Sequence, residues 1–573
     1  MKLTTAHYLT PGDVSIQGVG ITPDIAIDPM TVDHDDMDLA VDQEYLRESD
    51  LRSHLTHDRA RVSVKPRTVL RYYLPREVRA RLREARPEEL EENEKEAEFL
   101  TRFSQKLLSK VSSSARPRML SQAKDVVAAV AAEEMAKAKA ELQRLGIDWG
   151  AGDDKAATDL DVKVHTSAKD NRVQAGAPFS LDVEVHNRGR HPVYQLRATT
   201  ESDFGLFNGR ELVFGRIDPG QTRRWSTTLG VCRDGDDVAK KRTKKKEARC
   251  LLPKDLPDRA DGIRIKFSEA HDRVPPVSEI RTQIDALPRP QFAYALQVAD
   301  DLKGNGDGAV QRGEQVSVYL RVRNLGPGVA EEAQANLRNL SGRGVLLKDG
   351  RFSLNAMQRG DERLVRFTFE VLPDFARQEA KLEVTLSDAT LRESVTEKIR
   401  VPLAERAAVP KAHKTSVVLK AGTPLLEGPR PTADTIAKAD GAIKLRAFAK
   451  LGGFLRLDVG KGQPAWAAAS AVQSGGKARG RLRFVLNHMP PQLEVDHGDQ
   501  LVTRGSHLRL QGKAEDDQRV RDLYIFVGAR KVFYQANREQ TRHKATFRTE
   551  VPLQKGINYI TVFARESSDI VSR

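Results

Sequence analysis

Two stretches of alternating sequence, FSLDVEVHNRG (179–189) and VSVYLRVRNLG (316–326), decide the fold of this chain. In both stretches apolar residues alternate with polar ones, which is the pattern of a β-strand with one buried face. Both end in Asn-x-Gly, with the asparagines at Asn187 and Asn324. We interpret this ending as a structural turn that requires a positive φ at the glycine, and not as a functional site.

The sequence that follows these stretches repeats as well. NGRELVFGRIDPGQTRRWSTTL (208–229) aligns with DGRFSLNAMQRGDERLVRFTFE (349–370) at an offset of 141 residues, against 137 residues for the first pair. Nearly equal offsets over two segments indicate two tandem domains of similar size. We therefore predict two immunoglobulin-like β-sandwiches, at 160–287 and 292–404.

The first copy carries an insertion, CRDGDDVAKKRTKKKEARC (232–250). Its basic run is a candidate contact for a polyanion, and a solvated loop is the alternative because like charges repel one another. The candidate contact residues are Lys240, Lys241, Arg242, Lys244, Lys245 and Lys246. Cys232 and Cys250, the two cysteines of the chain, flank the run and are candidate disulfide partners if the compartment is oxidising.

Composition bounds the class of protein. Hydrophobic residues make up 39% and charged residues 30% of the 573 positions, which suffices for several packed cores. No apolar run is long enough for a transmembrane helix, so we predict no membrane span, and the opening MKLTTAHYLTPGD has no export-signal pattern. The net charge of +14 permits anionic partners. Aromatic residues are not interleaved with the basic run, which argues against a nucleic-acid partner.

Helical periodicity replaces the alternating pattern over residues 75–146, with an interruption at SSSARP (112–117). We predict a helical hairpin there, whose apolar stripes pack on each other or on a neighbouring core. Gly146 is a candidate C-terminal cap of the second helix. With the β domains on its carboxyl side, the chain as a whole is predicted to be mainly β and multidomain.

Two C-terminal segments resemble known small β domains. Residues 412–474 resemble a bacterial Src-homology-3-like barrel, through Gly452-Gly453-Phe454 before a strand and Trp466 in the last one. That resemblance implies a wall- or peptide-binding module. Residues 484–573 resemble a bacterial immunoglobulin-like domain, through GKAEDD (512–517) and the later GIN before a strand. We expect a further edge strand in that family, so this domain is predicted to be cut short.

The first residues carry the most specific pattern. LTTAHYLTPGDVSIQGVGITPDIAI (3–27) resembles the end of the protease core of the C-terminal processing (tail-specific) serine peptidases. The matching positions are Lys2, Leu3, Thr4, Thr5, Ala6, Tyr8, Thr10, Pro11, Gly12, Ser15, Ile16, Gln17, Gly18, Gly20, Pro23 and Asp24. Residues 1–66 are therefore interpreted as the C-terminal remnant of such a core, and the β domains resemble the long extensions of myxobacterial-type members.

The resemblance implies a peptidase with a Ser nucleophile and a Lys general base, both of which precede the matched strand in the family. No residue of this chain receives a catalytic role, and we expect the chain alone to be inactive. The family further implies the periplasm or cell envelope, with protein or peptide substrates or envelope components as partners. The alternative is a non-catalytic, multidomain protein for envelope binding or adhesion.

The loop DDLKGNGDGAVQRGE (300–314) follows the spacing of an EF-hand-like calcium loop. Its candidate ligands are Asp301, Asn305, Asp307 and Glu314. Position 1 of the loop is Lys303, which is not a ligand, so Asp301 or Asp300 would supply the first carboxylate. A turn that leads into a strand is the alternative. Calcium is the one candidate cofactor.

Overall fold

A computed structural model describes most of the chain. The described residues are 9–10, 14–15, 23–34, 37–39, 68–84, 94–113, 115–233, 249–474, 478–496, 501–538, 543–567 and 571–572. Strands dominate these residues, so the chain is a mainly β, multidomain protein as predicted. Its contacts divide it into two compact units. One unit comprises residues 1–173, 177–253 and 260–284, and the other comprises residues 174–176, 254–259 and 285–573.

The first unit begins with a small parallel strand pair covered by helices. The elements are β1 (Leu9–Thr10), β2 (Val14–Ser15), β3 (Ile25–Met30), β4 (Thr68–Tyr73), α1 (Arg76–Glu84), α2 (Glu94–Lys110) and α3 (Arg116–Arg144). β3 and β4 pair in parallel, and the buried side chains of β4 pack against α2 and α3 through Leu70, Tyr72, Phe99, Phe103 and Val127. The predicted hairpin corresponds to α2 and α3. The predicted helical segment also contains α1 as a third helix, and the parallel pairing of β3 with β4 was not predicted.

The α3 helix ends as predicted. Gly146 has a φ of +77°, a left-handed conformation that costs glycine little. The N–H of Gly146 donates to the carbonyl of Gln143 at 3.0 Å, and the N–H of Ile147 donates to that of Leu142 at 2.9 Å. These bonds satisfy carbonyls that the last helical turn leaves open.

The first sandwich follows α3 in the same unit. Its strands are β5 (Leu160–Thr166), β6 (Arg172–Gln174), β7 (Ser180–Asn187), β8 (Val193–Glu201), β9 (Glu211–Ile217), β10 (Thr222–Thr228), β11 (Val231–Arg233), β12 (Arg249–Leu251), β13 (Arg259–Ser268) and β14 (Ser278–Asp285). One sheet has the order β10-β7-β5 and the other β6-β14-β13-β8-β9, while β11 and β12 form a separate hairpin. Alternate residues of β7 are fully buried, which is the predicted pattern.

The second sandwich opens the other unit. Its strands are β15 (Phe292–Lys303), β16 (Gln315–Asn324), β17 (Ala330–Asn339), β18 (Val345–Asp349), β19 (Arg351–Met357), β20 (Glu362–Val371), β21 (Glu379–Asp388) and β22 (Glu393–Pro402). They form two four-stranded sheets, β15-β16-β20-β18 and β19-β17-β21-β22. A single apolar core fills the space between the sheets.

A small β domain follows, with strands β23 (Lys411–Leu419), β24 (Pro424–Leu426), β25 (Thr435–Ala439), β26 (Ile443–Leu451), β27 (Phe454–Asp458), β28 (Pro464–Ala468), β29 (Val472–Gln473) and β30 (Leu482–Phe484). The sheet order is β29-β23-β26-β27-β28-β24-β25-β30. β30 joins this sheet through β25, so the domain extends beyond the predicted boundary at residue 474.

The C-terminal sandwich comprises β31 (Gln492–Asp496), β32 (His507–Glu515), β33 (Asp522–Val527), β34 (Arg530–Ala536), β35 (Lys544–Pro552), β36 (Ile560–Arg565) and β37 (Val571–Ser572). Its two sheets have the orders β31-β32-β35 and β34-β33-β36-β37. The core between them contains Leu510, Leu523, Ile525, Phe547 and Val562.

The Asn-x-Gly motif has the same role in both tandem sandwiches. Asn324 Nδ2 donates to the carbonyl oxygens of Gly328 at 2.8 Å and Met357 at 3.1 Å, and Asn324 Oδ1 accepts the N–H of Gly326 at 3.0 Å. Asn187 makes the three equivalent bonds in the first sandwich at 2.8, 3.0 and 2.9 Å. The repeated Asn-x-Gly sequence therefore forms the same hydrogen-bonded corner in both sandwiches.

The reason for the glycine differs from the prediction. The positive φ values of this region belong to the aligned Gly220 and Gly360, at +76° and +89°, and not to Gly189 or Gly326. A Cβ on Gly326 would lie 2.4 Å from the backbone nitrogen of Gln291, and one on Gly189 would meet backbone at 2.9 Å. The motif therefore needs glycine for close chain approach, because any side chain would collide with the preceding segment.

Candidate functional site

The acidic loop at 300–314 connects β15 to β16 and uses its carboxylates on its own backbone. Glu314 accepts the N–H groups of Asn305 and Gln311 at 3.1 and 2.8 Å. Asp307 accepts two backbone N–H groups at 2.9 and 2.7 Å, the second from a residue far along the chain. These bonds stabilise the turn of the loop.

Burial raises the pKa of Asp300 and of Glu314 above their ordinary values. Of the other two candidate ligands, Asn305 Oδ1 accepts the N–H of Asp307 at 2.8 Å and Asp301 accepts the hydroxyl of Tyr319 at 2.5 Å. Across the described residues, no group of three or more His, Cys, Asp or Glu side chains is arranged to hold a metal ion. A calcium site here stays a prediction.

The second sandwich and the small β domain share a buried polar contact. Gln297 Nε2 donates to the carbonyl of Pro464 at 2.7 Å, and Gln463 Nε2 donates to Gln297 Oε1 at 2.6 Å. The guanidinium of Arg321 donates to Gln463 Oε1 at 3.1 Å and lies 3.4 Å from the ring centroid of Phe484. Buried amides that satisfy one another fix the relative position of the strands that carry them.

A carboxylate joins the same two domains. Glu427, in the small β domain, accepts the N–H of Val298 on β15 at 2.9 Å. Burial raises the pKa of Glu427 above its ordinary value. The second sandwich and the small β domain are therefore joined by several buried or partly buried hydrogen bonds.

Aromatic side chains cover the outer face of one sheet in the C-terminal sandwich. Along β33, Leu523 and Ile525 point into the core, so Tyr524 and Phe526 point outward by the alternation of a strand. Phe563 on β36 is the cross-strand partner of Tyr524. We define the aromatic face as Tyr524, Phe526, Lys531, Tyr534 and Phe563.

The rings of the aromatic face contact one another in a specific way. Tyr524 and Phe563 stack with ring centroids 4.9 Å apart and an interplanar angle of 14°. Phe526 meets these two rings edge to face, at 5.8 and 5.9 Å. Tyr524 and Phe563 therefore cover one face of each other, and the rest of their ring surface adds apolar area to this side of the sheet.

A β-bulge brings a cation onto the same face. The pairing of β34 with β33 shifts by one residue at Val532, which places Lys531 and Tyr534 on one side of the strand although they are three positions apart. Lys531 Nζ lies 5.3 Å from the ring centroid of Tyr524, 5.8 Å from that of Phe526 and 5.7 Å from that of Tyr534. These distances are in the range of cation–π attraction.

Lys531 differs from the neighbouring Arg565 in that no described carboxylate pairs with it. Arg565 makes a two-pronged ion pair with the buried Asp522, at 2.6 and 2.5 Å. In the part of the chain that the structure describes, no carboxylate pairs with Lys531. Among the described residues, the aromatic face therefore presents one positive charge without a carboxylate partner, surrounded by apolar rings. Tyr534 is the most exposed of these rings, at 55%.

The other sheet of the C-terminal sandwich carries a shallow cleft of about 600 Å³. Its polar groups are largely paired with one another. Lys513 forms an ion pair with Glu494 at 3.0 Å, and Gln511 Nε2 donates to Asp496 at 2.8 Å. A cleft whose polar groups already satisfy each other offers a ligand less than the aromatic face does.

The remaining predicted site residues divide into two groups. Cys232 and Cys250 are directly opposite in the β11–β12 hairpin and form a disulfide. The candidate polyanion residues Lys240, Lys241, Arg242, Lys244, Lys245 and Lys246 lie outside the described residues. Most of the peptidase-like positions also lie outside them. Among those described, Asp24 forms an ion pair with Arg116 of α3 at 2.6 Å.

Sequence reasoning missed the aromatic face. Its members are separated by up to 39 positions along the chain, from Tyr524 to Phe563, and they meet only through strand pairing. The alternation of YIF at 524–526 was a usable signal, since a half-buried strand seldom places two aromatic rings on its solvent side. The bulge that adds Lys531 has no such signal.

Comparison with known proteins leaves the family open. No protein-family model and no curated protein matches the chain. Similar solved structures include a FixG-related protein from Vibrio parahaemolyticus, 12% identical over 19% of this chain and 96% of that chain, with a TM-score of 0.15. They also include red sea bream transglutaminase, 14% identical over 48% of this chain and 34% of that chain, with a TM-score of 0.17. At such TM-scores neither likeness carries an argument.

Of the helices described, none has the length and apolar character needed to cross a membrane.

Proposed function

We propose that this chain serves an envelope C-terminal processing serine peptidase, as the part whose β modules dock protein substrates or hold the enzyme in place. The observation that carries the proposal is the run of matching positions from Lys2 to Asp24. The string of β modules supports it, because tethered modules raise the effective concentration of substrate near a catalytic domain.

The disulfide supports the proposed location in the periplasm or cell envelope. Cys232 and Cys250 are paired, and disulfides persist in oxidising compartments. A cytosolic protein would keep these thiols reduced.

A proteolysis and retention assay tests the docking role. The purified chain is expected to leave unfolded casein intact over hours while retaining it when immobilised. Hydrolysis of casein by the purified chain would contradict the assignment of no catalytic residue, and failure to retain casein would contradict substrate docking.

The sequence of the gene before the first codon tests the peptidase relation separately. An in-frame segment that encodes a Ser, a Lys and a PDZ-like domain supports the relation. A stop codon shortly before Met1 would mean that the chain is made as a stand-alone product, which contradicts its service within a peptidase polypeptide whatever the outcome of the casein assay.

The second candidate is a non-catalytic protein for envelope binding or adhesion. The aromatic face favours it, since a cluster of outward rings on a sheet is typical of an interaction surface. Sedimentation with purified peptidoglycan, against an unrelated polysaccharide, separates this role from substrate docking. Binding to peptidoglycan without retention of casein supports the second candidate.

A further inference from the structure

We propose that the aromatic face docks an acidic polypeptide segment in an extended conformation. Apolar side chains of the segment pack on the rings, and an Asp or Glu carboxylate pairs with Lys531. The inference rests on the docking role proposed above and names the chemistry of the partner, but it does not depend on the relation to a peptidase.

The charge on this face favours an anionic partner. Lys531 is exposed and has no carboxylate partner in the described structure, whereas Arg565 is neutralised by Asp522. Opposite charge across an interface directs the encounter and sets specificity.

The rings around Lys531 supply the apolar part of the contact. Lys531 Nζ lies 5.3–5.8 Å from the ring centroids of Tyr524, Phe526 and Tyr534, so a carboxylate that pairs with it lies beside apolar ring surface. A segment in which acidic and apolar residues alternate matches both features, whereas a cationic segment would be repelled by Lys531.

Part of the aromatic surface is already used within the cluster. Tyr524 and Phe563 cover one face of each other, and Phe526 lies nearly perpendicular to both. This leaves fewer ring faces on which a nucleobase could stack, whereas a polypeptide can pack small apolar side chains on any part of a ring.

Direct binding to labelled peptides tests the proposal on the full chain. The probe is a fluorescent twelve-residue peptide in which Leu and Phe alternate with Glu, compared with a peptide in which Lys replaces every Glu and one in which Ser replaces every Leu and Phe. Fluorescence anisotropy is expected to give tightest binding for the Glu peptide and about tenfold or weaker binding for the other two.

Variants locate the site. Lys531→Met removes the charge and keeps a similar volume, and it is expected to weaken binding of the Glu peptide by about tenfold. Tyr534→Ala removes the most open ring and is expected to weaken binding without unfolding the domain, because that side chain lies outside the core. Lys555→Met, on the exposed turn before β36, is the matched control and should bind as the parent does.

Three outcomes would overturn the proposal. These are equal binding of the Glu and Lys peptides, unchanged binding by Lys531→Met, and preferential binding of oligothymidylate or of a uronic-acid polysaccharide over the Glu peptide. Retention of casein by a chain that fails all peptide tests would leave the docking role standing and reject the aromatic face as its site.

Discussion

At the residue scale, buried polar groups decide more of this fold than surface charges do. Asn324 is fully buried and binds backbone groups on both sides of a chain corner. Glu566 is also buried, but its Oε2 has no hydrogen-bond partner among the described residues. The two residues therefore have opposite effects, since a satisfied buried amide stabilises the fold and an unsatisfied carboxylate opposes it once it ionises.

Replacing Asn324 with Ala is expected to lower the free energy of unfolding by about 2–3 kcal/mol, because it leaves buried carbonyl groups without donors. Urea unfolding followed by tryptophan fluorescence and circular dichroism would measure the loss. The matched control is Asn336→Ala, whose side chain takes only an exposed bond from Arg351. Equal stability of the two variants would contradict the role of the corner.

Glu566 is expected to make stability depend on pH. Burial, followed by the charges of Asp516 and Asp517, raises the pKa of Glu566 to about 7 from an ordinary value of 4.5. The folded state then binds the proton more tightly than the unfolded state does. The stabilisation is fully present below the unfolded pKa and is lost as pH rises through the folded one.

The variant Glu566→Gln should remove that dependence. Relative to the parent, it is expected to gain on the order of 1–2 kcal/mol between about pH 5 and about pH 8, after allowance for solvent screening. Denaturant midpoints at both pH values measure the gain. Parallel pH profiles for parent and variant would show that Glu566 does not titrate in this range.

At the element scale, the hairpin of β11 and β12 depends on a covalent link. The disulfide joins residues 18 positions apart and closes the base of the insertion in the first sandwich. Among the residues that the structure describes, three residue pairs join the two strands. A short two-stranded hairpin is marginal without further support.

The double variant Cys232→Ser and Cys250→Ser is expected to lower stability of the first sandwich by about 3 kcal/mol in the chain-entropy model. Thermal unfolding with and without a reducing agent measures this, and the reductant should have no effect on the double variant. Two free thiols titrated in the air-oxidised parent protein would contradict the pairing.

The acidic loop between β15 and β16 is held by hydrogen bonds from backbone N–H groups to its own carboxylate side chains. Asp307→Ala removes an acceptor for two backbone N–H groups and is expected to cost about 1–3 kcal/mol when measured with a chelator present. Repeating the measurement in millimolar calcium chloride tests the calcium prediction. Stabilisation of the parent alone supports a calcium site, and no shift in either protein argues against one.

At the scale of the whole molecule, side-chain amides form contacts between the second sandwich and the small β domain. Gln297 of the second sandwich and Gln463 of the small β domain are both buried and paired with each other. Neither residue belongs to an apolar core. Their pairing joins residues that lie 166 positions apart in the sequence.

Gln297→Leu is expected to destabilise this contact by about 1–3 kcal/mol and to let the small β domain unfold before the second sandwich. Scanning calorimetry would then resolve an additional transition. Arg338→Ala, which breaks an exposed ion pair with Glu383 elsewhere on the sandwich, is the control and should cost less than about 1 kcal/mol. An unchanged single transition in Gln297→Leu would mean that the contact does not couple the domains.

The sequence by itself determined the repeating strands, because alternation of apolar residues is a local pattern with a local cause. Alignment of Asn187 with Asn324 found the shared corner, and Gly146 marked the end of α3. Cys232 and Cys250 were visible as a pair for the same reason, since both flank one insertion. Each of these features lies within one segment or repeats at a constant offset.

Only the tertiary structure decided why Gly189 and Gly326 are glycine, that β3 and β4 pair in parallel, and that Lys531 joins the rings of the aromatic face. Each depends on a distance between segments far apart in the chain, set by strand register, by a bulge or by the approach of one backbone to another. Local propensity carries no information about such distances, because they are fixed when the sheets pair and the cores pack.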